Sequence, residues 1–207
     1  MERVGILGGT FDPPHLGHVV LAEYAAEELG LSQVLFVPAA DPPHKRGIVR
    51  SPITVRLPML ELAIDSDPRY RISRVDIDRP GPHYAVDMVG LLQESMPDTE
   101  LYFLMGSDSF SELPNWSRPE LLIQRCKIVV HDRPGKGWSP MMHEMTLPEL
   151  AERTIIIKFP RLGISSTEIS ARLDAGLSVR YLVPEAVLDY IAQHGLYQHA
   201  KQTSGNS

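Results

Sequence analysis

The sequence predicts an α/β protein: a doubly wound parallel sheet with a mainly helical C-terminal portion from about residue 165. Short apolar or β-branched runs alternate along the chain with segments of helical period, which is typical of βαβ units. The chain has 207 residues, of which 43% are hydrophobic and 22% charged, as in ordinary globular proteins. This length favours one domain, predicted at 1–198, and a disordered polar tail at 199–207 with too little apolar surface to bury.

Six segments are predicted to be extended. The five short apolar or β-branched runs are 3–7, 34–37, 101–105, 128–130 and 154–157. The segment YRISRVDID at 70–78 has the same character over a longer stretch. A Pro/Gly-rich stretch at 132–140, DRPGKGWSP, predicts a loop instead.

Six other segments show helical period. They are 19–29, 54–64, 84–94, 120–124, 168–175 and 185–194. In the first of them, Leu21, Ala25 and Leu29 share one face, and glutamates lie elsewhere. We therefore expect this helix to pack against the sheet.

The charge balance argues against two classes of partner. The chain has 20 lysine and arginine residues and 26 aspartate and glutamate residues, so its net charge is −6. Proteins bind nucleic acids and anionic membranes largely by neutralising phosphate charge, so this negative charge disfavours both partners. No apolar run is long enough for a secretory signal or a bilayer span, so a cytoplasmic protein is expected. The single cysteine, Cys126, is expected to be a small buried hydrophobe.

The stretch GGTFDPPHLGH at 8–18 directly follows the first predicted strand. Gly8 and Gly9 let the backbone turn tightly and approach a ligand closely, and Thr10 can offer a hydroxyl. Because proline disfavours helix in the residue before it, the helix can begin only after the diproline, which places His18 in its first turn. In a doubly wound sheet, ligands bind at this position.

A helix start attracts phosphate because its N–H groups lack partners and the helix dipole is positive there. His15 and His18 add two imidazole donors at the same place. This pattern indicates stabilisation of charge on a phosphoryl group during its transfer, with no protein nucleophile. An attacking phosphate monoester, with a second pKa of about 6, is already largely dianionic, so no general base is needed.

The histidine pair has two other interpretations. The pair could be half of a metal site. However, two metal ligands on a helix are usually four residues apart, and His44 is the one obvious candidate for a third ligand. The histidines could also be incidental loop residues. The glycines, the two prolines and the strand-to-helix position favour the phosphate interpretation.

These residues resemble the GxFDPxHxGH signature of the nucleotidylyltransferase superfamily, which has a Rossmann-like fold and includes adenylyl- and cytidylyltransferases. The resemblance implies in-line attack of a substrate phosphate on the α-phosphorus of a nucleoside triphosphate, with pyrophosphate leaving. His15 and His18 would stabilise the five-coordinate phosphorus. Further contacts with ATP are implied for Gly8, Gly9, Thr10 and Phe11.

ISSTEISARL at 164–173 resembles a second superfamily signature, ISSTxIR. By itself it predicts a capping box, with Ser165 at the helix start and Glu168 three residues on. A serine-rich helix N-terminus is also a place for the β- and γ-phosphates of ATP. The contacts implied there are Ser165, Ser166 and Thr167.

The chain departs from that signature at one position. Ser170 stands where the signature has an arginine, so a bidentate phosphate clamp is lost. Arg161 or Arg172 could supply the missing guanidinium. Without such a replacement, affinity for the triphosphate should be reduced.

Four further stretches indicate which substrate accepts the nucleotidyl group: GPHYAVD at 81–87, GSDSF at 106–110, DPPHK at 41–45 and RPG at 133–135. With Trp116 they resemble bacterial nicotinate mononucleotide adenylyltransferases, and the resemblance extends from residue 3 to about 197. It implies that Trp116 stacks on the pyridine ring and that Asp108, near Gly106, contacts a ribose in the ATP site. The implied acceptor contacts are Lys45, Tyr84, Ala85, Trp116 and Arg133.

The residue chemistry is compatible with this acceptor. A nicotinate ring is flat and electron-poor, so an indole face suits it, and its carboxylate suits N–H groups at a helix start. Without the resemblance, Trp116 would be interpreted as a packing residue and Asp108 as a turn or cap residue. The family generally has threonine where Ala85 stands.

The resemblance therefore implies transfer of AMP from ATP to nicotinate mononucleotide, giving deamido-NAD and pyrophosphate. Mg²⁺ is expected to be carried by the ATP phosphates and not by a cage of protein carboxylates. Homo-oligomers are compatible with the sequence. The alternatives are the same chemistry on nicotinamide mononucleotide or phosphopantetheine, and a nucleotide-binding sensor without turnover, which Ser170 motivates.

Overall fold

The computed structural model describes residues 1–40, 50–131, 138–160 and 162–198. Its centre is one six-stranded sheet in which all neighbouring strands are parallel. The strands are β1 (Glu2–Gly9), β2 (Gln33–Pro38), β3 (Tyr70–Ile72), β4 (Thr99–Gly106), β5 (Lys127–His131) and β6 (Thr154–Ile157). Their order across the sheet is β3-β2-β1-β4-β5-β6, which confirms the doubly wound prediction.

The prediction of an extended segment at 70–78 is wrong beyond Ile72. The chain turns there, because the N–H groups of Ile77 and Asp78 both donate to the Arg74 carbonyl, at 2.8 and 2.9 Å. The Arg74 guanidinium also pairs with the Asp78 carboxylate at 2.8 Å. These local contacts replace the strand pairing that the sequence pattern suggested. The five shorter predicted runs all lie within strands.

All six predicted helices are present. The α-helices of the described residues are α1 (Leu16–Leu29), α2 (Ile53–Ile64), α3 (Ala85–Ser95), α4 (Ser107–Ser111), α5 (Pro119–Arg125), α6 (Leu150–Arg153), α7 (Ser166–Asp174) and α8 (Glu185–Gln193). A 3₁₀ helix spans Leu113–Asn115. The sequence did not predict α4, α6 or the 3₁₀ helix, because elements of so few residues show no helical period.

Helices cover both faces of the sheet, so the central strands are buried on two sides. Successive side chains of a strand point to opposite faces of the sheet, as two adjacent residues of β1 show. Ile6 belongs to a buried cluster shared with α3 and α5, whereas Leu7 belongs to a buried cluster shared with α1 and α2. We call these clusters the α3 core and the α1 core.

The C-terminal portion is mainly helical, as predicted, and packs on the α1 core. Ile169 of α7 and both Val187 and Ile191 of α8 are at most 2% exposed and share this core with Leu60 of α2. The C-terminal helices therefore lie on the sheet face that also carries α1, the helix that follows the histidine motif.

Cys126 is buried, as predicted, with 4% of its surface exposed. Its Sγ lies 3.3 Å from the Leu122 carbonyl oxygen, and burial raises the pKa of the thiol to about 12. The thiol therefore stays protonated at neutral pH and acts as a packing group.

Two further expectations concern the chain as a whole. Within the described ranges, no helix has the length and apolar character needed to cross a membrane. The predicted polar tail at 199–207 lies outside the described residues, and the single-domain boundary stays a prediction.

Candidate active site

The sheet has a switch point between β1 and β4. Chain order runs outward from β1 through β2 to β3 on one side, and from β4 through β5 to β6 on the other. Ligands of doubly wound sheets bind at the carboxyl ends of the strands at such a point. Gly8 of β1 lies there and is exposed, although β1 is a central strand, and Gly106 ends the adjacent β4. The carboxyl ends of these two strands are therefore the candidate site.

Both predicted histidines lie next to the end of β1, at the start of α1. His15 is the N-cap residue and His18 lies in the first turn, as predicted. Their rings stack, with centroids 3.6 Å apart and planes 20° apart. His15 is 3% exposed and His18 is half-buried. The structure thus brings the two imidazoles together as a unit.

A main-chain contact determines which nitrogen of His18 can donate. Its Nδ1 accepts the backbone N–H of His15, with 3.1 Å between the two nitrogens. An accepting ring nitrogen carries no proton, so the proton of the neutral imidazole is on Nε2. In this arrangement His18 is an Nε2–H donor, as contact with a phosphate oxygen requires.

Phe11 packs against the histidine pair. Its ring is 1% exposed and meets the ring of His18 edge-on, at a centroid distance of 4.9 Å. A Cβ on Gly9 would lie 3.1 Å from this phenyl ring, so glycine makes room for it. The ring of Phe11 therefore supports His18, and the predicted contact of Phe11 with ATP stays a prediction.

The sequence-based prediction omits Gly17, which lies between the histidines. A Cβ at this position would lie 3.0 Å from Nδ1 and 3.1 Å from Cε1 of His15. Both distances are shorter than ordinary carbon contacts, so only glycine leaves the buried His15 ring in place. The signal that identifies it is its position inside the histidine motif.

The segment 10–18 joins β1 to α1 and carries both histidines, and we call it the histidine loop. The predicted phosphate-binding helix start lies against this segment. Ser165 caps α7, and its Oγ accepts the N–H of Glu168 at 3.2 Å, as the cap prediction requires. The Ser166 hydroxyl donates to the Pro13 carbonyl at 2.9 Å, and Thr167 is exposed. The structure therefore brings the positive end of α7 next to the loop that carries His15 and His18.

Arg172 does not replace the missing signature arginine. It lies in the last turn of α7, where its Nε and Nη2 donate to the Ser178 carbonyl at 3.1 and 2.9 Å. Its guanidinium is therefore held at the end of the helix opposite to Ser165. The other candidate, Arg161, lies outside the described residues.

The predicted acceptor residues meet on the α3 side of the sheet. Tyr84 is the N-cap of α3 and Ala85 its first residue. Both pack on the α3 core with Trp116, whose ring meets Phe103 of β4 edge-on at 6.0 Å between centroids. Asp108 is exposed in the first turn of α4, directly after β4. The acceptor side of the site is thus built around the end of β4.

A buried ion pair fixes the loop that leads to Tyr84. Asp76 is 5% exposed and pairs with Arg79 at 2.6 Å. Nε2 of His83 lies 3.1 Å from the Arg79 carbonyl oxygen. Burial raises the pKa of the Asp76 carboxyl, and the hydrogen bond from Arg79 opposes that change. No periodic or motif signal in the sequence indicates this arrangement.

Arg56 of α2 ties three loops together beneath the site, which sequence reasoning also missed. Its guanidinium is 2% exposed and donates to the carbonyls of Thr10, Ala39 and Ser51, at 2.6, 3.1 and 2.8 Å. Burial lowers the pKa of Arg56, because the charged form loses hydration. These bonds join the loop after β1 to the loops on either side of the segment 41–49.

Some predicted residues fall outside the described ranges. Lys45 and Arg133, the predicted phosphate contacts of the acceptor, are among them, as is His44. Among the residues that the structure does describe, no group of three or more His, Cys, Asp and Glu side chains could hold a metal ion. The stacking of the two imidazoles and the Nε2–H donor of His18 suit a phosphate-binding unit.

Named proteins from other organisms are similar in sequence to this chain over nearly its whole length. The cytidylyltransferase-like family model matches residues 6–172. A protein of Thermomicrobium roseum named probable nicotinate-nucleotide adenylyltransferase is 45% identical over 198 residues, which are 96% of this chain and 92% of that protein. A protein of the same name from Thermus thermophilus is 43% identical, over 95% of this chain and 100% of that protein.

Solved structures share the fold. A Plasmodium falciparum nicotinic acid mononucleotide adenylyltransferase complexed with APC has a TM-score of 0.76 at 17% identity, covering 95% of this chain and 98% of that one. A second structure of that protein, complexed with NaAD, has a TM-score of 0.76 at 18% identity, with the same coverage. The chain therefore belongs to the cytidylyltransferase-like family and, within it, to the nicotinate-nucleotide adenylyltransferases.

Proposed function

We propose that this protein transfers AMP from ATP to nicotinate mononucleotide, giving deamido-NAD and pyrophosphate. The observation that carries the proposal is the stacked pair of His15 and His18 beside the switch point, with the N-terminus of α7 held against the same loop. The names of the relatives favour this acceptor over phosphopantetheine. The packing of Tyr84, Ala85 and Trp116 against the α3 core, on one face of the sheet, supports it.

The transfer is a single displacement at phosphorus. An oxygen of the acceptor phosphate forms a bond to the α-phosphorus of ATP while the bond to the pyrophosphate oxygen breaks. His18, as an Nε2–H donor, and His15 stabilise the charge that grows on the five-coordinate phosphorus. Backbone N–H groups in the loop of Gly8, Gly9 and Thr10 lie along the same phosphate chain. The acceptor phosphate is already largely dianionic, with a second pKa of about 6, so no residue needs to remove a proton.

The leaving group is bound by the start of α7. Ser165, Ser166 and Thr167 present backbone N–H groups and the positive end of the helix dipole to the β- and γ-phosphates. Because Ser166 already donates its hydroxyl proton to Pro13, its contribution to phosphate binding comes from its backbone.

The acceptor lies on the α3 side. The pyridine ring stacks on Trp116, and its carboxylate accepts N–H groups at the start of α3, near Tyr84 and Ala85. Lys45 and Arg133 bind the mononucleotide phosphate. In the ATP site, Gly106 lets the backbone approach closely and Asp108 accepts hydrogen bonds from ribose hydroxyls.

Mg²⁺ enters with the triphosphate. The described residues fit this arrangement, because the histidine pair and the start of α7 offer groups that bind the phosphates which would carry the ion. When bound, the ion neutralises charge on the departing pyrophosphate. A cytoplasmic location and a homo-oligomer stay predictions.

The proposal is tested by initial rates of pyrophosphate release with ATP and each of three acceptors: nicotinate mononucleotide, nicotinamide mononucleotide and phosphopantetheine. We expect the highest kcat/KM with the nicotinate acceptor. A preference for phosphopantetheine over both pyridine nucleotides would overturn the proposal. Binding of ATP and nicotinate mononucleotide without any release of pyrophosphate would indicate the sensor instead.

The role of His18 is tested by His18→Ala. Loss of a donor that acts in the transition state is expected to lower kcat by on the order of a hundredfold, with a smaller change in KM. The matched control is His194→Ala, which removes an exposed imidazole beyond α8 and should leave kcat unchanged. An effect confined to KM would mean that His18 only binds substrate.

A further inference from the structure

The C-terminal portion of the chain holds the histidine loop at three points. The Ser166 hydroxyl donates to the Pro13 carbonyl at 2.9 Å, and the Leu16 N–H donates to the Leu182 carbonyl at 2.9 Å. The third contact is the hydroxyl of Tyr197, which donates to Oδ1 of Asp12 at 2.5 Å across 185 residues of sequence. The first two contacts involve backbone atoms of the loop, and the third involves a side chain of the motif itself.

Asp12 is held from two sides. Its Oδ1 accepts the Tyr197 hydroxyl, and its Oδ2 accepts the backbone N–H of Ser51 at 2.8 Å. The carboxylate therefore links the loop after β1 to the chain before α2 and to the C-terminus. Burial raises the pKa of the Tyr197 hydroxyl, and the bond to Asp12 raises it further, so the hydroxyl stays a proton donor at neutral pH.

The backbone of Tyr197 indicates that its position is strongly constrained. Its φ is 60°, in the left-handed region that an aromatic residue rarely adopts. A residue other than glycine keeps this conformation where its contacts stabilise it, and the bond to Asp12 is such a contact. Here the conformation lets the side chain reach Asp12 from a turn after α8, in which the Leu196 N–H also donates to the Ile191 carbonyl at 3.1 Å.

We propose that Tyr197 is a positioning residue for the transfer step, acting through Asp12 on the loop that carries His15 and His18. The proposal rests on the function proposed above. Two residues separate Asp12 from His15, so a shift of the loop backbone at Asp12 displaces the imidazole pair. Reaction rates fall steeply with displacement of about 1 Å from the productive geometry, whereas substrate binding is shared among many contacts. The effect should therefore appear in kcat.

The test is Tyr197→Phe, which removes one oxygen atom. We expect kcat to fall by roughly tenfold and the KM values for both substrates to stay within about twofold. The matched control is Tyr190→Phe, the same change on α8, which should keep the full kcat. Unfolding in urea measured alongside shows that the variants are folded under the conditions of the assay.

A double-mutant cycle separates positioning through Asp12 from a general effect of the C-terminus. The kcat of Asp12→Ala combined with Tyr197→Phe should equal that of Asp12→Ala alone, because the proposal assigns the effect of the hydroxyl on turnover to its bond with that carboxylate. Losses that multiply would overturn the proposal. So would full kcat in Tyr197→Phe when the wild-type protein turns over. Absence of turnover in the wild-type protein would count against the proposed function instead.

A second pair of variants leaves Tyr197 in place, in case Tyr197→Phe does not fold. Asp12→Asn keeps an oxygen that can accept the tyrosine proton, whereas Asp12→Ala does not. We expect the kcat of Asp12→Asn to lie clearly above that of Asp12→Ala. Equal values for the two variants would contradict a role for the tyrosine hydroxyl.

Discussion

At the scale of single residues, two glycines decide where aromatic rings lie in the histidine loop. Gly9 leaves space for the phenyl ring of Phe11, and Gly17 leaves space for the imidazole of His15. Both rings are almost completely buried, so an added Cβ would shift them against closely packed neighbours. The geometry of the imidazole pair therefore depends on the absence of a Cβ atom at Gly9 and at Gly17.

Gly17→Ala tests this dependence. The new Cβ would lie 3.0 Å from His15 Nδ1 and should displace that ring from its stack with His18. We expect kcat to fall by about tenfold. Stability should change little, because alanine favours helix over glycine by up to about 1 kcal/mol and so offsets the crowding.

The measurement is kcat together with unfolding in urea. Gly163→Ala is the matched control, since a Cβ there would meet no described atom within 4 Å. If Gly17→Ala kept the wild-type kcat, the position of the His15 ring would not matter for turnover.

At the scale of elements, helix α2 stabilises the loops that follow β1 and β2 through the side chain of Arg56. Arg56 gives one guanidinium to three carbonyls, and two of these follow the ends of β1 and β2. A fully buried carbonyl without a donor costs about 1–3 kcal/mol, and these three part-buried carbonyls should each cost less. The end of the sheet that forms the site therefore depends on a helix residue 46 positions after Thr10.

Arg56→Met should lower the free energy of unfolding by about 2–4 kcal/mol, because three carbonyls lose a donor and gain none. Arg56→Lys should retain part of the stability, since an ammonium group has three donors but not the planar fork. Urea denaturation measures both. Arg74→Met is the control, because its pair with Asp78 is exposed to solvent and contributes little to stability. Equal effects for Arg56→Met and Arg74→Met would contradict this account.

At the scale of the whole molecule, ion pairs join strands to one another and join the segment before β3 to α1. Arg69 pairs with Asp67 at 2.6 Å and with Glu23 of α1 at 2.7 Å, and Lys127 of β5 pairs with Glu100 of β4 at 2.7 Å. Hydrogen bonds from Arg69 lower the pKa of Glu23 and of Asp67, and one from Lys127 lowers the pKa of Glu100.

These shifts predict how stability depends on pH. A carboxyl whose pKa is lower in the folded state contributes stability above its unfolded pKa, and this contribution is lost as the pH falls through the folded pKa. We therefore expect the free energy of unfolding to decrease as the pH drops below about 4.5, the ordinary value for glutamate. Because the groups are partly exposed, the loss from each pair should stay below about 1 kcal/mol.

Urea denaturation between pH 7 and pH 3.5 measures this effect. Arg69→Met should flatten the dependence, whereas Arg71→Met, at an exposed position of β3 two residues further on, should not. An unchanged slope in Arg69→Met would mean that other carboxyls cause the loss of stability in acid.

The sequence by itself determined the order of strands and helices, because hydrophobic period and turn chemistry are properties of neighbouring residues. It also determined the histidine loop and the cap of α7, since both depend on residues that are close in sequence. The same reasoning failed at 70–78, where an ion pair and two hydrogen bonds close a turn. It also could not place Arg172, whose partner is the Ser178 carbonyl.

Only the tertiary structure decided which strands adjoin β1, and therefore where the switch point lies. It also decided the two supports of the site, Arg56 beneath the loop of Thr10 and Tyr197 on Asp12. These contacts join residues separated by 46 and 185 positions, and no local period or motif encodes such a pair. The physical reason is that a buried donor finds its acceptor only when the packed sheet and helices bring distant segments of the chain together.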